Sequence, residues 1–261
     1  MTAEIPGLST LLRRTLEQTL IPSPNVVELA PAKAAGFVNR LAPGHDDVAE
    51  TFHMNTRLSR QQPDVRLRAG ERAAVRQWYF TTCARYRDDD LVLDDRTVRL
   101  PHESLNEPLR AMLSAFGAAG SARTLLYRCD LMVVLDGAVC RQPPGEDAVW
   151  VERRLSAEEL DRFHAVAADE EARQEVGAAL AVFAVVGVPW RSMVDGGPRG
   201  YRRMLMDAGV LLDVLGGLAQ HHGLRPSHVH DFYDDEVDEL FYLDGLEHSV
   251  LALVPVAGGA E

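Results

Sequence analysis

The stretch "DGGPRGYRRMLMDAGVLLDVLGGLAQHHG", Asp195 to Gly223, decides how the chain is read. Along it Met204, Leu205, Ala208, Leu211, Leu212, Leu215, Leu218 and Ala219 recur every three or four positions. That period marks one face of an α-helix, the longest of the chain. Gly223 follows, where a left-handed residue closes a helix. Ahead of it, Arg191 to Pro198 reads as a loop. Arg199 and Arg202 flank Tyr201 at the helix start, where two cations oppose the dipole and call for a bound anion or another reason.

Working outward, "AALAVFAVVGVPW" is too short to cross a bilayer and reads as a strand buried on both faces. Upstream, Ser156 and Glu159 form a capping pattern before one or two helices. "TLLYRCDLMVVLDGAVC" is strand-like with a turn at Asp136-Gly137, and "DAVWVERRL" returns antiparallel. "ESLNEPLRAMLSAFGAAG" is a helix with Leu109, Met112, Leu113 and Phe116 on one face, ended by Gly117 or Gly120. Glu71 to Arg87 is a further amphipathic helix, and "DDDLVLDDRTVRL" a short hairpin turning at Asp94-Asp95. Downstream come a short acidic helix, "DDEVDELFYL", and a last strand, "HSVLALVPV". Residues 1–60 form an N-terminal extension with a helix capped by Ser9 and a proline-marked connector; residues 61–261 form the domain. Strands and helices alternate irregularly, which predicts an α+β sandwich with a central mixed sheet flanked by helices.

Composition narrows the function classes. The 261-residue chain carries a net charge of -12, which disfavours nucleic acid and anionic membranes as partners. Its basic residues are almost all arginine; Lys33 stands alone, so a lysine-dependent mechanism is nearly excluded. Cys83, Cys129 and Cys140 form neither a disulfide framework nor a zinc motif. The N-terminus lacks the pattern of a secretory signal, so a cytoplasmic protein is expected. His221, His222, His228, His230 and Asp231 form the densest imidazole group. Extended "HVH" puts both rings on one side, but the spacing matches no zinc signature and no metal is expected. His228, His230 or Asp231 could instead move a proton.

The segment from Glu175 to Val256 orders its elements as strand, loop, "RGYR", long helix with "DAG", "GL", acidic helix with "LDG", and terminal strand. In this it resembles the C-terminal half of nitroreductase-fold proteins, and most of all the SagB-type dehydrogenases, flavin enzymes that oxidise azolines during ribosomal-peptide maturation. The shared residues are Arg199, Gly200, Tyr201, Arg202, Ala208, Gly209, Gly223, Leu224, Phe232, Leu243, Asp244 and Gly245. The resemblance implies a nitroreductase-like fold and an FMN-dependent oxidoreductase acting on a precursor or modified peptide. It also implies a homodimer, or a heterodimer with an intact homologue. Arg199, Tyr201, Arg202 and Gly209 become the expected cofactor contacts. The departures lie where the family does its chemistry. Its Lys-Tyr pair falls on Asp195 and Gly196, its flavin-facing Gly-Gly on His230 and Asp231, and its Gln-Asn on Asp213 and Val214. Two expectations stay open: an oxidoreductase with an altered acid–base set drawn from Asp195, His228, His230 and Asp231, or a degenerate, flavin-free member acting as partner subunit or peptide-binding scaffold.

Overall fold

The computed structural model describes residue 56 and residues 68–84, 98–119 and 124–259. The Ser9-capped helix, the proline-marked connector and the turn at Asp94-Asp95 lie outside the described residues. The chain runs through α1 (Ala69–Ala84), β1 (Val98–Pro101), α2 (Glu107–Ala118), β2 (Cys129–Leu135), β3 (Ala138–Gln142), β4 (Ala148–Arg154), α3 (Ala157–His164) and α4 (Glu170–Gly177). It continues with β5 (Ala181–Gly187), α5 (Pro189–Gly196), α6 (Gly200–His221), β6 (Leu224–Pro226), α7 (Asp234–Leu240) and β7 (Ser249–Gly258).

The seven strands among the described residues form one sheet in the order β1-β4-β3-β2-β5-β7-β6. All its pairings are antiparallel, so the sheet is antiparallel where a mixed one was expected. The reason lies in the pairing of neighbours. β2 and β3 close a two-residue hairpin whose Asp136 (φ 47) and Gly137 (φ 70) both take the left-handed conformation that such a turn requires. β5 then lies antiparallel to both β2 and β7.

The sheet separates two apolar layers. In β5, Phe183 and Val185 face the core shared with α2 and α6, while Val182, Ala184 and Val186 face the core shared with α3, α4 and α7. This alternation is the strand period of two, and it makes β5 the fully buried strand that its sequence announces. The Ser156–Glu159 capping box is present and starts α3. α2 begins at Asn106, whose side chain accepts from the Leu109 N–H, and it ends at Ala118 with Gly117 inside it.

Two features of the region around the long helix differ from expectation. Arg191 to Pro198 is not a loop. Pro189 to Gly196 is the helix α5, with proline in its first turn, ended by Gly197 at φ 61 and a 3-10 turn, Gly197–Arg199. "LRP", Leu224 to Pro226, for which no strand was expected, is the edge strand β6, because it pairs with residues 256–258 of β7. In α6 itself Met204, Ala208, Leu211, Leu215 and Ala219 are buried, but Leu205 turns outward beside Met206 and Val210. Among the described residues no helix is long and apolar enough to cross a membrane.

Candidate functional site

Asp130 interrupts the otherwise apolar β2, and the fold builds a charged cluster around it. Its Oδ1 accepts from Arg191 Nη2 at 2.5 Å and its Oδ2 from Arg141 Nη1 at 2.7 Å. Arg141, on β3, also pairs with Glu152 on β4. Arg191 is the third residue of α5, four residues past the end of β5, and is only 3% exposed. Its guanidinium lies over the Tyr79 ring at 4.7 Å, and the Tyr79 hydroxyl donates to the Leu126 carbonyl at 2.8 Å. Burial alone would raise the Asp130 carboxyl, but the Arg191 and Arg141 guanidiniums outweigh it and hold it below the usual carboxylate range. Asp130 is therefore an anion locked between two cations, unsuited to taking a proton.

Above this cluster opens a cleft of about 290 Å³, walled by Trp78, Tyr79, Trp190 and the Pro143-Pro144 pair, with His248 at its margin. That is the lower end of the range of small-molecule sites, roughly 300–1,000 Å³. Gln142 stiffens one wall: its Nε2 donates to the carbonyls of Pro143 and Glu146, both at 3.0 Å. Its Oε1 must then receive the proton of His102 Nε2, 2.8 Å away. Burial lowers the pKa of His102, which keeps the ring neutral for that role. Cys129 and Cys140 are buried, and burial pushes both thiols up to about 12, which makes them poor nucleophiles.

None of Asp195, His228, His230 and Asp231 lines this cleft, and Asp195 lies away from the histidines. Asp195 lies in the last turn of α5, next to the start of α6. His228 is exposed and sits against α6 much further along, its Nε2 3.5 Å from the point that a Cβ on Gly216 would occupy. Gly200 and Gly216 stand about 24 Å apart along the helix axis. His230 is exposed near His228, with ring centroids 6.3 Å apart. Asp231 is exposed too, and its carbonyl accepts from the Ala168 N–H at 2.8 Å. Asp195 and the histidine group thus lie toward opposite ends of α6.

Several motif residues around the expected cofactor contacts have structural duties. Gly200 is the place where α5 and α6 touch backbone to backbone: a Cβ there would stand 2.0 Å from the Ser192 carbonyl oxygen. Its N–H already donates to the Gly197 carbonyl. Tyr201 packs on the core beneath α6, and Arg199 and Arg202 are half-buried. Asp207, the acid of "DAG", pairs with Arg128 at the entry to β2. Ala208 is buried. The Asp244 carboxylate of "LDG" accepts from the backbone N–H groups of Leu246, Glu247 and His248, which hold it below its ordinary range. At the start of α6, then, Gly200 and Tyr201 are taken up by packing, while Arg199 and Arg202 stay half-buried.

Gly209 faces outward, with nothing within 4 Å of a Cβ built on it. Gly209→Ala is expected to stabilise the protein by roughly 0.5–1 kcal/mol through helix propensity, read as a higher denaturant midpoint. A loss of stability would show that Gly209 serves a close approach after all.

The residues that sequence reasoning missed are Asp130, Arg141, Arg191 and the aromatic walls. One signal was present: an acid in the middle of an apolar strand needs a partner. The partners lie 11 and 61 residues away in the chain, which no local pattern reveals.

No family model matches the chain, and no curated protein does. Solved structures do resemble it. A protein of Anabaena variabilis described as a nitroreductase is 16% identical over 94% of this chain, with a TM-score of 0.45; the chain spans 46% of that protein's length. The E. coli microcin synthetase McbBCD complex with truncated pro-MccB17 bound contains a chain 16% identical over 90% of this one and 84% of its own length, at 0.46. An FMN-dependent nitroreductase of Clostridium difficile is 14% identical over 60% of this chain and 78% of its own, at 0.42.

Proposed function

We propose that the chain is a flavin-free, nitroreductase-like protein of peptide natural-product maturation, in which it acts as a peptide-binding partner subunit. The observation that carries this reading is the division of labour among its residues. The "RGYR…DAG" and "LDG" positions are spent on packing, ion pairing and turns. The candidate proton carriers are split by much of the length of α6, while the cleft offers aromatic walls over a neutralised carboxylate. Such a cleft recognises a ligand and has no poised base. A subunit role needs a surface, and α6 presents one: Leu205, Met206 and Val210 stand outward at 41%, 70% and 50% exposure beside the small Gly209. A second copy of this chain or an intact homologue would cover it. The E. coli complex carries truncated pro-MccB17, and a peptide is proposed as the ligand here as well.

The visible spectrum of the purified protein tests the flavin-free reading. A colourless protein that takes up no added FMN through gel filtration is expected. Yellow protein that releases stoichiometric FMN on denaturation would overturn the proposal and restore an oxidoreductase.

A further inference from the structure

Two charges on the outer side of α6 have no counterpart among the described residues. Arg203 and Asp213 are both exposed, and neither side chain forms an ion pair or a hydrogen bond there. The acid one turn on from Arg203 is Asp207, which is taken by Arg128. The helical neighbours of Asp213 are Gly209, Val210, Gly216 and Gly217, which offer it no cation. Arg203 and Asp213 themselves stand about 15 Å apart along the helix axis, too far to meet. The Arg203 guanidinium rests beside Gly196 of α5, 3.8 Å from the place that a Cβ would take there.

Between the two charges stand the most exposed apolar side chains of α6, Met206 at 70% and Val210 at 50%. The four residues are spaced three, four and three, so they share one outward stripe about 80° wide. That is the seam spacing of a helix pair crossing at about 20°. The stripe is also complementary to itself. Its midpoint in sequence is Ala208, with Arg203 and Asp213 five positions to either side and Met206 and Val210 two. When a second α6 lies antiparallel across that level, Arg203 meets the partner's Asp213 and Met206 meets the partner's Val210. A two-fold interface requires such a match of one surface with itself. A parallel copy in register would set like charges against each other, so the charges select the antiparallel arrangement.

We infer that the outer stripe of α6 is a homodimer interface, in which two copies of the helix pack antiparallel, with Met206 and Val210 in the middle and an Arg203–Asp213 ion pair at each end. The inference rests on the partner-subunit reading above and commits it to a second copy of this chain. One helix crossing is small for a specific interface, so the dimer should dissociate on dilution.

Sedimentation equilibrium of the full chain over a range of concentrations measures the association, and a wild-type dimer is expected. Arg203→Asp leaves two acids on the stripe and Asp213→Arg two bases; each variant alone should associate roughly tenfold more weakly. Both positions are exposed, so circular dichroism should report an unchanged fold. An equimolar mixture of the two variants sets opposite charges against each other again at both ends. It should regain the wild-type association, which a folding defect cannot imitate. A monomeric wild type, charge variants that associate as tightly as it does, or a mixture that stays monomeric overturns the interface. A colourless monomer overturns the interface alone and leaves the flavin-free reading standing. A dimer that carries FMN and responds to the charge variants as expected supports the interface and overturns the flavin-free reading.

Discussion

Replacing Asp130 with alanine is expected to cost about 3–5 kcal/mol of folding stability, the range for removing one partner of a buried ion pair. The loss comes less from the missing attraction than from what remains. Arg191, 3% exposed, would keep its charge with its carboxylate partner gone, close to the like charge of Arg141. Asp130→Asn should cost less, because an amide oxygen still accepts from one guanidinium. Urea unfolding of the three proteins at neutral pH measures the difference. A loss below 1 kcal/mol in Asp130→Ala would mean that the cluster is solvated rather than buried. The pH dependence follows from the same geometry. The folded-state pKa of Asp130 lies below its ordinary 3.8. The unfolded state then binds the proton more readily, so the stabilisation is present above about pH 4 and is lost as pH falls through the folded value. In Asp130→Ala that part of the acid limb should be flat.

The second large effect belongs to Gly200→Ala. A methyl group at this position would lie 2.0 Å from the Ser192 oxygen, 2.3 Å from its carbonyl carbon and 2.7 Å from the Met193 nitrogen. All three are backbone atoms of α5, so no rotamer change relieves the clash; one helix must move off the other. Overpacking in cores costs roughly 1–3 kcal/mol, and a backbone clash belongs at or above the upper end of that range. Thermal melts should show the protein well below wild type or unable to fold, in contrast to the stabilised Gly209→Ala. These two glycines come from the same short motif and respond in opposite directions, because one meets a neighbouring helix and the other meets solvent. A tolerated Gly200→Ala would mean that α5 and α6 are not in backbone contact.

The contrast shows why the motif pointed to the fold more reliably than to a site. In "RGYRRMLMDAG" the glycine, tyrosine, aspartate and alanine each secure α6 against α5, the core, Arg128 and the sheet.

Periodicity and turn chemistry made most elements legible. The apolar face of α2, the Ser156 cap, the Asp136-Gly137 hairpin, the doubly buried β5 and the glycine closing α6 all depend on neighbours within a few residues. α5 was missed because Gly196, Gly197 and Pro198 end the helix rather than interrupt it, and β6 because three residues become a strand only when β7 lies beside them. The same limit governs the site. The sequence by itself determined an α+β chain, a long core helix, an acidic net charge and a single lysine, Lys33. Only the tertiary structure decided that β2, β3 and α5 bring Asp130, Arg141 and Arg191 together, and that α6 holds Asp195 and the histidines apart. Secondary structure follows from interactions a few residues apart along the chain, whereas a binding site is made from side chains that meet only when the sheet and its helices pack.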